Sequence, residues 1–184
     1  MTDLRTARLV LHPMTPAEAE RVVAGEPGPG ELWAPGYPDP MDVEGARDFL
    51  KACATTGDPR PFGNFEIRRA EDGAAVGGLG FNRVPDAEAT VTVGYALIPG
   101  VRGRGYASEA LRGLLEFAWS RGVALVRADA DLDNLASQRV MRAAGMREVG
   151  EDHRVRYFEL GAPGEAVSPS RSRSCPRPGG VAGS

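Results

Sequence analysis

Thr90-Val-Thr-Val-Gly-Tyr-Ala-Leu-Ile98, Pro99-Gly-Val101 and Arg102-Gly-Arg-Gly-Tyr-Ala107 form one unbroken run. The first block is β-branched and aromatic and stops at a proline, the pattern of a half-buried strand. Beyond the last block, Ala107, Ala110, Leu111, Leu114, Leu115 and Ala118 recur at helical spacing, and Gly122 ends the helix. The intervening glycines let backbone approach a ligand closely. The helix start directs unpaired N–H groups and a positive dipole end at the same place, so the turn suits an anion of the pyrophosphate kind.

Two phosphate motifs compete for this loop. Gly100 to Gly105 has the glycine spacing of a P-loop, but Tyr106 and Ala107 stand where Lys and Ser/Thr are required. No lysine reaches a phosphate and no hydroxyl binds Mg²⁺, so that reading fails. Gly103-x-Gly105-x-x-Ser108 begins like a dinucleotide fingerprint but lacks the third glycine, and it follows an antiparallel meander rather than an early βαβ unit.

Working outward, Thr15-Pro16-Ala-Glu-Ala-Glu opens a helix that ends near Gly25. Gly28 to Pro40 is rich in Gly and Pro yet holds Trp33 and Tyr37, and a second helix is expected from Val43 to about Thr55. Phe62 to Arg68 and Ala75 to Asn82 read as strands joined at Asp72-Gly73. Val123 to Ala128 is a further strand and Leu135 to Ala144 a helix closed by Gly145. Met146 to Val149 and Arg154 to Leu160 complete the sheet, with Tyr157 expected to face the core.

At the loop the chain resembles the GNAT superfamily of acetyl-coenzyme A dependent N-acetyltransferases. That family's loop reads Arg or Gln, two residues, Gly, one residue, then Gly or Ala, which Arg102, Gly105 and Ala107 satisfy in order. A second segment, Asn134-Leu-Ala-Ser137-Gln-Arg-Val140-Met-Arg-Ala-Ala-Gly145-Met146, is similar to the family's Asn-x-x-Ser-x-x-Val-x-x-x-x-Gly-Phe stretch, with Met in place of Phe. Leu4-Arg5-Thr6-Ala7-Arg8-Leu9-Val10-Leu11 resembles the first strand of the branch that includes ribosomal-protein N-terminal acetyltransferases, with Ala7 where Glu is usual.

The resemblance implies an α/β (α+β) domain over residues 1–160. It would be a mixed, mainly antiparallel twisted sheet of about six or seven strands with four helices, splayed near its centre to admit acetyl-CoA. It further implies that Arg102, Gly103, Arg104, Gly105, Tyr106, Ala107 and Ser108 hold the pyrophosphate. The pantetheine arm would pair with Ala96, Leu97 and Ile98, where a backbone N–H also faces the thioester carbonyl, and Asn134 would help to position it. Ser137 would lie near the cofactor sulfur as a catalytic group, its alternative being an ordinary place at a helix start. In the family the first two helices and their joining loop wall the acceptor pocket, which assigns Trp33 and Tyr37 to substrate. The alternative is that both are apolar anchors of an irregular loop.

The general base stays open. A lysine amine, with a pKa of about 10.4, is almost wholly protonated at neutral pH, whereas an α-amine near 8 keeps roughly a tenth of its population free. The catalytic Glu that some N-terminal acetyltransferases of the family carry shortly after the Gly-Phe pair aligns with Val149, with Glu148 and Glu151 on either side. A one-residue slip on a strand exchanges the two faces. Glu109 reads as a helix-start acid, Glu66 and Asp39 are pocket acids by position alone, and water relay is the remaining route. The expected activity is acetyl transfer to a primary amine, of a protein N-terminus or a small molecule, by direct attack in a ternary complex. The rivals are a non-catalytic acyl-CoA-binding or interaction module and a nucleotide-binding enzyme.

Composition is consistent with one domain: 184 residues with 42% hydrophobic content allow one substantial core. Of the formal charge of −3, the segment after Leu160 carries three arginines against one glutamate, which leaves about −5 on the body. A nucleic-acid partner is not expected. Neither a signal peptide nor a membrane span is read, so a cytoplasmic location is expected. Cys53, Cys175, His12 and His153 form no ligand set, and no metal is expected. A homodimer is compatible with the sequence and not specified by it. Residues 161–184, dominated by Pro, Gly, Ser and Arg, are expected to be disordered.

Overall fold

The computed structural model describes residues 1–164. Within them run β1 (Leu4–Arg5), β2 (Leu9–Pro13), α1 (Pro16–Ala24), α2 (Pro40–Thr56), β3 (Asn64–Arg69), β4 (Ala75–Phe81) and β5 (Thr90–Leu97). A 3-10 turn at Pro99–Val101 leads to α3 (Tyr106–Ser120), β6 (Leu125–Asp131), α4 (Leu135–Ala143), β7 (Arg147–Glu151) and β8 (Val155–Gly161). The strands form one sheet in the order β1-β2-β3-β4-β5-β6-β8-β7. Among the described strands only β5 and β6 are parallel neighbours, with α3 as the crossover between them.

The sheet has 8 strands, more than the sequence suggests, because the run Leu4 to Leu11 is a hairpin. Leu4 lies opposite Leu11 and Arg5 opposite Val10. Nothing in Thr6-Ala7-Arg8 is a strong turn signal; Thr6 closes the bend, its N–H donating to Leu9 O at 3.0 Å and its hydroxyl accepting from Leu9 N at 3.1 Å, and α3 holds it from outside. Thr6 Oγ1 and the Arg8 N–H both donate to Glu109 Oε1 of α3, at 2.6 and 2.7 Å. Glu109 is thus a structural acid, and burial, which raises its pKa, is outweighed by these bonds, which hold it below the ordinary value.

Helix α2 starts at Pro40, three residues before the expected Val43, because Asp39 and Asp42 form a capping box around a proline in the first turn. Cross-strand registers sort the two sheet faces. Leu11, Ile67, Gly77 and Leu97 stand in one row and His12, Glu66, Gly78 and Ala96 in the next. Such adjacent rows project to opposite faces. The first face carries α3, whose Phe117 meets Phe65 edge-on with ring centroids 5.8 Å apart. The second carries α2, whose Asp42 reaches over Gly78.

Tyr157 corrects an expectation. It is 41% exposed and donates to Asp152 Oδ2 at 2.6 Å, while its neighbour Phe158 is fully buried. Alternation along β8 gives the core position to one of the two, and Phe158 takes it. At the far end of β8, Ala162 still donates to the Ala124 carbonyl at 2.9 Å. Of the segment expected to be disordered, residues 165–184, with Cys175, lie outside the described residues.

Candidate functional site

The β5–β6 ladder is short. It pairs Thr90, Val91 and Thr92 with Leu125, Val126 and Arg127 and then stops. On its other side β5 stays paired with β4 from Val93, opposite Phe81, to Leu97, opposite Gly77. Over residues 93–97 the β6-facing edge of β5 is therefore open.

Hydrogen bonding fixes which groups line that edge. Asn82 N donates to Thr92 O at 2.8 Å and Ile98 N to Val76 O at 3.0 Å. In an antiparallel pair, residues bonded to the partner alternate with residues facing away. The even-numbered positions thus turn their polar groups to β4, and Val93, Tyr95 and Leu97 turn theirs to the opening. Of Ala96, Leu97 and Ile98, only Leu97 presents backbone groups to the cleft. Its carbonyl is already used by Arg102 Nε, at 2.8 Å.

The open edge leads into the glycine loop. Gly103 and Gly105 have φ of 77° and 79°, left-handed values that favour glycine. Gly105 is the N-cap of α3, and no side chain caps the helix there. An array of backbone donors with a positive dipole end is left facing outward, which fits a pyrophosphate. The loop is braced from behind by Arg8, which comes from the Thr6-Ala7-Arg8-Leu9 stretch of the first hairpin. Its Nη1 donates to Arg104 O at 3.0 Å, its Nε donates to Glu109 Oε2 at 2.7 Å, and its guanidinium lies 4.8 Å from the Tyr106 ring centroid. Arg102 turns the other way, its Nη2 lying 3.6 Å from Asp39 Oδ2 at the start of α2.

Across the cleft, Asn134 caps α4 by accepting from Ser137 N at 3.1 Å. Ser137 is half-buried, and its carbonyl accepts from Tyr95 Oη at 3.0 Å. Tyr95 therefore spans the gap where β5 and β6 part. Burial pushes its phenol up to about 12. It remains a neutral donor at physiological pH. The strand pattern in the sequence marks Tyr95 only as another aromatic.

On the α2 face of the sheet lies a cavity of about 260 Å³, bounded on one side by Gly94, Tyr95 and Ala96 of the open strand and on the other by α2. Tyr37 lines it and is buried; Trp33 packs edge-on against Tyr37, at 5.3 Å between centroids, and bridges to Ala75. Asp42, Glu44 and Asp48 put three carboxylates on the wall, and among the described residues that line it there is no Lys or Arg. A wider cavity of about 670 Å³ shares Gly45, Asp48, Asn64 and Asn82 with it.

Asp42 is the unusual group here. It is 7% exposed, its Oδ2 accepts from Asp39 N at 3.0 Å, and its Oδ1 is buried without a partner. Tyr37 Oη is likewise buried and unpartnered. Burial, with the Glu66 and Asp42 charges beside it, drives the Tyr37 phenol far above its usual value. Burial also raises the Asp42 carboxyl to about 7, with the Asp39 and Glu66 charges adding to it and the Asp39 backbone bond opposing. The sequence signal for Asp42 was the Asp39-Pro-Met-Asp42 capping pattern, which puts it on the first turn of a helix; its burial has no local signature.

Glu148 and Glu151, the acids on either side of Val149, do not line this cavity. β7 is an edge strand of the sheet and exposed along its length, where Glu148 bonds Arg142 at 2.6 Å and Glu151 bonds Arg156 at 2.6 Å. Val149 is 54% exposed. Cys53 packs half-buried against the core. Among the described residues no group of three or more His, Cys, Asp or Glu is placed to hold a metal ion, and no helix is long and apolar enough to cross a membrane.

The sequence profile of the acetyltransferase (GNAT) domain matches residues 8–147. The chain is 24% identical over 148 residues to the uncharacterized N-acetyltransferase YoaA of Bacillus subtilis (strain 168), spanning 80% of this chain and 84% of that protein. Its fold superposes with a TM-score of 0.65 on RimL, a ribosomal L7/L12 α-N-protein acetyltransferase solved with coenzyme A, at 16% identity over 89% of this chain and 100% of that one. A TM-score of 0.65 also relates it to the ribosomal-protein-S5-alanine acetyltransferase of Vibrio fischeri, at 11% identity over 89% of this chain and 98% of that one. The parted β5–β6 pair, the uncapped glycine start of α3 and a profile match over most of the chain lead to one conclusion: this protein belongs to the GNAT acetyltransferase family.

Proposed function

We propose that the protein transfers the acetyl group of acetyl-CoA to a primary amine by direct attack in a ternary complex. The observation that carries this reading is the one-sided edge of β5 over residues 93–97, which runs straight into the uncapped start of α3. An extended arm bearing amides replaces the missing strand there, pairing with the polar groups of Val93, Tyr95 and Leu97, while the N–H groups from Gly103 to Ser108 hold the pyrophosphate. Acetyl-CoA supplies the activated thioester. A backbone N–H on the open edge stabilises the developing oxyanion, a role whose loss typically costs about 10²-fold or more in rate.

Ser137, held at the first turn of α4 by Asn134 and tied to the cleft by Tyr95, protonates or hydrogen-bonds the leaving thiolate. The acceptor enters between α2 and the sheet. Three carboxylates on the cavity wall favour acceptors that arrive as ammonium ions, and Tyr37 shapes the inner end with Trp33 behind it. The continuity with the wider cavity past Gly45 and Asn64 leaves room for a peptide N-terminus as well as a small amine.

Calorimetric titration with acetyl-CoA, beside ATP and NAD, tests the reading. Selective binding of acetyl-CoA with thiol release in the presence of primary amines is the expected result. Binding of ATP or NAD in its place overturns it. In the same assay Ser137→Ala lowers turnover more than acetyl-CoA affinity; an unaltered rate returns Ser137 to a purely structural place.

A further inference from the structure

We propose that Asp42 is the general base that removes the proton from the incoming acceptor ammonium. The inference rests on the acetyltransferase reading and adds a residue to it that the GNAT sequence motifs do not point to. Three observations place Asp42 there. The capping box occupies only one of its carboxylate oxygens, Oδ2, and leaves Oδ1 buried with nothing to bond. An orphaned buried acceptor costs free energy that the capping box alone does not require, since Glu or Gln is the ordinary partner at that third helical position. The sheet is also cleared to receive the carboxylate: a Cβ on Gly78 would stand 3.0 Å from Oδ1. Gly78 is paired with Ala96 of the open strand. Finally, the cavity that Asp42 lines is bounded by Gly94, Tyr95 and Ala96, so an ammonium bonded to Oδ1 sits beside the edge that takes the thioester.

The groups facing Asp42 shape its acidity. Asp39 shares the helix start, Glu66 comes from β3 and Tyr37 from the loop before α2, while Glu44 and Asp48 lie along the cavity wall. The cations nearby are engaged: Arg68 with Glu66 and Arg102 beside Asp39. A carboxyl surrounded this way, and raised to about 7 chiefly by burial, is matched to proton transfer at neutral pH. In the step, R–NH₃⁺ gives one proton to Oδ1 and the freed lone pair forms the C–N bond to the thioester carbonyl carbon. The C–S bond breaks with its electron pair on sulfur. The nitrogen loses its second proton as the thiolate gains one, giving the amide and the free thiol, and Asp42 returns its proton to solvent.

Asp42→Asn keeps the acceptor oxygen for the Asp39 N–H and so preserves the cap. The variant is expected to bind acetyl-CoA as the parent does by calorimetry. Its kcat/KM for thiol release, with the fastest of a panel of primary amines (putrescine, lysine amide, and peptides starting in Ser or Ala), should fall about 10²–10⁴-fold. The acid limb near pH 7 should vanish from its rate profile. Stability gives a second readout. A carboxyl whose pKa is higher folded than unfolded favours the fold while protonated, and that contribution is lost as pH rises from about 4 to about 7. The Tm of Asp42→Asn should therefore exceed that of the parent at pH 8, with the gap closing towards pH 4. A retained rate or a retained acid limb overturns the assignment. So does a carboxyl-¹³C titration of the parent that places Asp42 below about pH 5, a measurement that needs no acceptor. Failure of the parent to bind acetyl-CoA instead removes the acetyltransferase reading itself, and Asp42 with it.

Discussion

Gly105→Val is expected to bind acetyl-CoA at least about 100-fold more weakly than the parent chain, a loss of about 2.7 kcal/mol. Gly105 has φ 79° and ψ 5° as the N-cap of α3. A β-branched residue resists that region, at a cost of roughly 1–2 kcal/mol for any L side chain and more for valine. The added Cβ also lies 3.4 Å from Arg8 Nη2, the guanidinium that braces the loop through the Arg104 carbonyl. The chain escapes the strain by rotating the Arg104–Tyr106 peptides, which turns the donors away from the phosphates. The loop is on the surface, so the fold survives and Tm falls by only a few degrees; calorimetry on the folded variant reads the affinity. An affinity equal to the parent's would show that the pyrophosphate does not sit on this loop.

Gly77→Ala carries the largest expected loss of stability. Its Cβ would stand 2.2 Å from Ala96 O and 2.9 Å from Leu97 Cα, and backbone inside a sheet cannot yield as a flexible side chain can. The Gly77–Leu97 pairing must open, at about 3 kcal/mol or more. For a domain of this size that lowers Tm by roughly 10 °C. The same displacement moves the end of β5 that precedes the anion loop, so acetyl-CoA affinity falls as well. Thermal unfolding with and without acetyl-CoA reads both effects, and a Tm within about 2 °C of the parent's refutes the close approach of β4 and β5.

Glu148, Val149 and Asp42 show where sequence reading reaches its limit. Glu148 and Glu151 were reasonable base candidates because they follow the Gly145-Met146 pair, yet the strand that bears them is the solvent-facing edge of the sheet. Arginines from α4 and β8 neutralise them there. Asp42 lies in the right chemical surroundings although nothing near it in sequence resembles a catalytic motif. Burial raises its pKa, and burial is a property of what packs around a residue.

Local pattern carried much of the rest. The alternation of Thr90 to Leu97, the glycines before Tyr106, the helical spacing from Ala107 to Ala118 and the Asn134 cap on Ser137 all depend on neighbours within a few positions. The strand, glycine loop and helix were therefore legible from the chain alone. The first hairpin was not, because its turn carries no glycine or proline and joins its own Thr6–Leu9 bonds to Glu109 of the distant α3. Nor was the point at which β5 and β6 part, or the reach of Tyr95 across that gap to Ser137. By itself, then, the sequence determined the elements and the donor array at the start of α3, since backbone conformation and capping are short-range. The tertiary structure alone decided which strand edge stays open and which carboxylate is left buried without a partner, because pairing and desolvation arise only when distant segments meet.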